Sequence, residues 1–181
     1  MLKNNSGSTF MTVIIIIVGI ILLFFIPLMA ASNTQDDVTK VAVQSIVAEL
    51  VQTASTKGKL TVNDYENFTA KLYATGNTYD IQLVHTIMTT NPNKGATDKA
   101  GENLSYSVYN TEILNNGIYG STNKKEYLMN KGDYFGCTVK NTNTTMADQI
   151  KGAIFKIIGK DTYTIIGSDY ALVVTSGNYS N

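Results

Sequence analysis

FMTVIIIIVGIILLFFIPLMAA, residues 10–31, is the stretch whose reading decides the fold. Its 22 positions carry no charge, and the nearest charged residues are Lys3 before it and Asp36 after it. A helix rises ~1.5 Å per residue, so roughly 20 apolar residues cross the hydrocarbon core of a bilayer. The stretch predicts a transmembrane helix, with 1–9 as a cytoplasmic leader and 32–181 as an extracytoplasmic head. Orientation follows from the flanks, because basic residues stay on the cytoplasmic side. Lys3 and the amino terminus precede the span while Asp36 and Asp37 follow it.

Composition narrows what the head does. Lys plus Arg number 14 against 14 Asp plus Glu, and every basic residue is Lys. A chain with no Arg lacks the planar fork that grips phosphates bidentately, and zero net charge gives no basic footprint. Nucleic acid is therefore not an expected partner. The single cysteine, Cys137, forms no internal disulfide. About 150 residues beyond the span suit one globular domain.

The order of residues before the span admits three readings. A cleavable secretory signal has an apolar region of about 7–15 residues and a small-residue cleavage site. Ala30-Ala31-Ser32 offers such a site, but this apolar run is longer and its basic leader weak. A plain signal anchor is the second reading. The third rests on a short polar leader with one lysine, ending in Gly7 a few residues before the apolar helix. This resembles the prepilin pattern of type IV and tight-adherence (Tad) pilus systems, in which a membrane peptidase cuts after glycine. The resemblance implies a cut between Gly7 and Ser8. It makes Thr12 the fifth mature residue, where major pilins of that family usually carry Glu. That departure points to a minor pilin or pseudopilin, such as the TadE-like proteins.

Residues 35–56 continue as an amphipathic stem. Val38, Val41, Ala42, Ile46, Leu50 and Ala54 recur at helical spacing, and Val43, Val47 and Val51 widen the stripe. Ser32-Asn33-Thr34 can cap a new helix here, or one helix runs through with a kink near Pro27. Gly58 ends the stem helix, making it 35–57. Thr61 with Asp64 three residues on forms a capping box for a helix through Ala74, with Tyr65, Phe68, Leu72 and Tyr73 on its buried side. From Tyr79 the period becomes two: Tyr79, Ile81, Leu83, His85 and Ile87 share one face of a strand. Residues 91–103 are a polar loop, and 104–114 fit a strand or a helix. Asn115-Asn116-Gly117 and 120–125 are turns. Residues 133–140 are a strand with Phe135, Cys137 and Val139 together. Thr145 and Asp148 begin a helix over 145–159 with Met146, Ile150, Ala153, Ile154 and Ile157 as its stripe. Residues 162–175 are strand-like, with Gly167-Ser168-Asp169 as a bulge or tight turn. The expected class is α+β: a long N-terminal transmembrane helix continuing into an amphipathic helix, packed on a small antiparallel sheet with one or two further helices. The strings TGNTYDI, VKNTNTT and DTYTI are similar to stretches of small single-span proteins of Gram-positive bacteria that accompany Tad-like pilus or conjugation machinery.

Candidate chemistry is sparse. His85 is the only histidine and lies on an apolar strand face, so a packed, hydrogen-bonded core residue is expected rather than a metal ligand or general base. Cys137, between Phe135 and Val139, is expected to be a buried inert thiol. No EF-hand, P-loop or dinucleotide spacing occurs, and no glycine-flanked serine forms a nucleophile elbow. The expectation is a non-enzymatic protein with no cofactor and no metal. Eight of the 11 tyrosines (Tyr106, Tyr109, Tyr119, Tyr127, Tyr134, Tyr163, Tyr170 and Tyr179) fall in the second half among Ser, Thr and Asn. Tyrosine suits adhesive or subunit-facing surfaces, and it equally suits strands at a sheet edge. The expected function is a membrane-anchored minor pilin or pseudopilin subunit whose partners are the membrane and other pilin-like subunits or assembly machinery. The alternative is a single-pass surface protein whose head binds a ligand or envelope polymer.

Overall fold

Helix α1, Ser6–Lys57, carries the apolar run and the stem without interruption in a computed structural model of the chain. The structure describes residues 6–89, 104–120, 125–145, 149 and 165–178. The chain divides into two units, Met1–Val38 with Thr144–Tyr163 and Thr39–Asn143 with Thr164–Asn181. Of the two expected routes into the stem, a fresh cap or a continuous helix, the continuous helix is the one formed. Ser32, Asn33 and Thr34 are helical rather than a cap, and Pro27 lies inside the helix.

In the first unit, the helix from Phe10 to Leu28 leaves its large apolar side chains exposed almost throughout. Between Leu28 and Val38 the buried positions of α1 are Ser32 and Asp36, and the Asp36 carboxylate accepts a hydrogen bond from Thr145 Oγ1 at 2.8 Å.

In the second unit the stem residues Val43, Val47, Leu50, Val51 and Ala54 are buried. This corrects the expected stripe: Val38 and Val41 are 64% and 71% exposed. Apolar residues cover so much of this helix that spacing alone does not pick the inward half. Tertiary fit picks it, through strand β6 (Ile166–Leu172). A Cβ on Gly167 would lie 2.9 Å from Val43 Cγ1 and 3.2 Å from Val47 Cγ2, so a glycine there lets the strand backbone meet the helix.

Strand β1 (Lys59–Thr61) follows Gly58, whose positive φ of 67° ends the helix. No side chain fits at Gly58, because the Thr175 carbonyl oxygen would collide with its Cβ. Helix α2 (Val62–Tyr73) begins at the expected capping box: Asp64 N donates to Thr61 Oγ1 at 3.1 Å and Thr61 N donates to Asp64 Oδ2. Partial burial pushes the Asp64 carboxyl up, but hydrogen bonds from Lys57 and Thr61 win and hold it below its ordinary value. Phe68 and Leu72 are buried as expected, whereas Tyr73 is 57% exposed, a correction at the last turn of the helix.

Strands β2 (Tyr79–Thr89), β3 (Leu104–Tyr109) and β5 (Tyr134–Asn141) join β6 in a four-stranded antiparallel sheet of order β3-β2-β5-β6. A two-stranded sheet pairs β1 with β4 (Glu126–Leu128). The segment that fitted both strand and helix is both in turn: β3, then a π-helix, Thr111–Ile118. Asn115-Asn116-Gly117 is therefore helical, not a turn, and Gly117 leaves room for Tyr127, whose Cδ2 would sit 2.7 Å from an added Cβ. Gly167-Ser168-Asp169 is no bulge, since all three pair in register with Val139, Thr138 and Cys137.

Amide side chains extend the sheet where backbone partners stop. Asn110 accepts from Leu83 N and donates to Ile81 O, both at 2.6 Å, where β3 ends. On the opposite edge Gln44 donates to Ser168 O at 2.8 Å and accepts from Ser168 N at 3.1 Å. The loop 91–103, most of the helix expected over 145–159 and most of the turn at 120–125 lie outside the described residues.

Candidate functional site

Alternation along β2 turns His85 inward with Leu83, and both are buried. Two polar groups reach the imidazole. Nε2 lies 3.1 Å from Asp133 Oδ2, and Nδ1 lies 2.7 Å from the Tyr127 hydroxyl. A carboxylate only accepts, so the Nε2 proton faces Asp133 and the tyrosine hydroxyl donates to Nδ1. Both bonds are satisfied by a neutral ring. Burial holds the imidazole below its ordinary value, partly offset by the Asp133 charge. Burial likewise pushes the Tyr127 hydroxyl upward.

Asp133 is held by a tight turn. Its backbone N–H bonds Asn130 O at 3.1 Å, its Oδ2 accepts from Asn130 N at 2.9 Å and its Oδ1 accepts from Met88 N at 3.0 Å. Preceding it, Gly132 takes a positive φ of 98°, which that turn needs. The carboxylate is thus shared among two amides and one imidazole. Such a saturated network locks a neutral histidine in place and fixes where strand β5 begins, which is the packed role expected for His85. Asp133 and Tyr127 were not legible as its partners, because neither has a fixed sequence spacing to His85. Cys137 is buried on the same strand face as Phe135 and Val139, and burial with the nearby Asp169 charge pushes its thiol up to about 12. At neutral pH it stays protonated, as expected for an inert thiol. Its cross-strand neighbour on β2 is Leu83, so the ladder pairs His85 with Phe135 instead of with the thiol. Among the described residues no group of three or more His, Cys, Asp or Glu is placed to hold a metal ion.

Gly7, Ser8 and Thr12 lie in the first turns of α1, and all three are exposed. Thr12 Oγ1 donates to Ser8 O at 2.8 Å, one turn back. Its hydroxyl is thereby folded onto the helix backbone, in the position where the resemblance implies a carboxylate in major pilins. An added Cβ at Gly7 meets nothing within 4 Å, so helix packing does not require glycine there.

Tyr163 and Tyr179 lie outside the described residues, and the described tyrosines divide between core and surface. Tyr127 joins the His85 network, and Tyr65 meets Tyr119 edge to face with ring centroids 6.3 Å apart. Tyr109, Tyr134 and Tyr170 stand exposed on the outer face of the four-stranded sheet. Neither family models, curated proteins nor solved structures match this chain.

Proposed function

We propose that the chain is a membrane-anchored, pilin-like structural subunit, a minor pilin or pseudopilin of a Tad-like or related apparatus. The observation that carries this reading is α1. One helix is long and apolar enough to cross a membrane in its first part, with none of that part buried, and in its last turns it packs on an antiparallel sheet. An apolar span with no internal partner is stable only in lipid or against similar spans. In this role the span holds the subunit in the bilayer and then packs beside neighbouring spans. The head makes lateral contacts from the extracellular side, with the amino terminus in the cytoplasm. Gly7 and Ser8 flank the processing point. Thr12 offers no carboxylate to a neighbouring amino terminus, which favours a minor position. The role is structural, not catalytic.

Mass-spectrometric sequencing of the amino terminus from native membranes tests this. A mature start at Ser8 is expected. An intact Met1 replaces the pilin reading with a plain signal anchor carrying a binding head, and a start near Asn33 makes the protein a secreted one.

A further inference from the structure

We infer that the outer face of the four-stranded sheet is a surface on which one copy of the chain meets a second copy. Strand alternation puts Met88, Tyr109, Tyr134, Ile166, Tyr170 and Leu172 on that face, all exposed. Asp80 and Lys140 are the charges that β2, β3, β5 and β6 place there, and they sit opposite each other at one end. Aromatic residues and methionine without charge are the composition of an interface core, and a charged rim is its usual border.

Five of the hydroxyls on the face are already paired with one another. Tyr170 Oη donates to Thr86 Oγ1 at 2.6 Å, Thr86 and Ser107 hydroxyls lie 3.0 Å apart, and Thr138 and Ser168 hydroxyls lie 2.9 Å apart. Those hydroxyls can lose their water without being stranded. The aromatic surface is also ordered in advance. Tyr170 lies over Gly136, where an added Cβ would collide with its ring, and it runs parallel to Tyr134 with centroids 5.6 Å apart. Little side-chain freedom is then lost on association.

Charge placement selects an identical copy. The centre of the sheet lies between β2 and β5. A two-fold axis parallel to the strands at that centre sets each β2 across from the partner's β5. It brings the Asp80 end of one copy to the Lys140 end of the other, twice, while uncharged residues meet elsewhere. The face spans four strands ~4.8 Å apart and about seven residues of ~3.3 Å each. That is roughly half of the ~800 Å² per partner found in stable complexes, so association is weak in dilute solution. Anchoring in one membrane raises the effective concentration and makes it productive. The inference rests on the anchored part of the proposed function and not on processing at Gly7, so a mature start at Ser8 or an intact Met1 leaves it unchanged, whereas a start near Asn33 removes the shared membrane it depends on.

Energy transfer between full-length copies, labelled at the carboxyl terminus and reconstituted in neutral phosphatidylcholine vesicles, reads the association. Wild type is expected to transfer energy as a function of its surface density. Tyr170→Lys buries an unpaired charge in the face and should weaken association about tenfold or more. Leu172→Lys is the second, independent disruption, and circular dichroism confirms that each variant remains folded. Asp80→Lys and Lys140→Asp should each weaken transfer, and the charge-swapped double variant should restore it. Absence of density-dependent transfer in wild type overturns the inference and leaves the face to another occupant. Transfer that persists in both Tyr170→Lys and Leu172→Lys overturns it as well, and failure of the double swap to restore transfer overturns the two-fold arrangement.

Discussion

His85 shows how one buried side chain ties stability to pH. Its ring is held neutral by burial, with Asp133 on one nitrogen and Tyr127 on the other. Because its folded pKa lies below the ordinary 6.5, the unfolded chain takes up a proton first as pH falls. The His85 contribution is therefore fully present above about 6.5 and declines below it, towards the folded-state value. Urea unfolding of wild type and His85→Phe at pH 7.5 and 5.5 checks this. The variant should be less stable at pH 7.5 by about 1–3 kcal/mol for each stranded partner. It should also lose less on acidification than wild type does. Equal losses would remove His85 as the titrating group. The sequence made the histidine legible as a core residue from its strand face alone. It left its partners hidden, since Asp133 and Tyr127 come from a turn and a short strand more than 40 positions away.

At the scale of elements, the stem and the sheet edge hold each other. Among the described residues strand β6 is an edge strand, with β5 its single neighbour in the sheet. Unpaired edges invite pairing with other chains. Gln44 covers part of this one by offering its amide to both backbone groups of Ser168, and Val174 N bonds Ser55 O further along. Gln44→Leu should cost about 1–2 kcal/mol, as two hydrogen bonds are lost and the Ser168 groups return to water. Hydrogen exchange at the Ser168 amide should quicken beyond what the global loss explains. Unchanged exchange there would show that the edge does not depend on Gln44. The capping box at Thr61 and Asp64 was legible because it needs only a three-residue spacing. The inward face of the stem was not. Valines and alanines lie nearly all round that helix, and Gly167 on a strand more than 100 residues later selects Val43 and Val47.

At the scale of the whole molecule, the span and the balanced composition were plain in the chain itself. Residues 10–31 specify a bilayer-length apolar helix because hydropathy and length are properties of consecutive residues, summed without reference to distant ones. The same holds for the strand periodicity of β2 and β5 and for the α+β class. Tertiary structure alone decided which stem face turns inward, that 111–118 winds into a helix after β3, and that Gly167 to Asp169 stay in register. It also decided that three tyrosines stand on one face of the sheet. Each of these depends on a partner far along the chain, through a close approach, a side-chain hydrogen bond or a strand order. Local sequence limits which conformations are accessible, but only packing chooses among them.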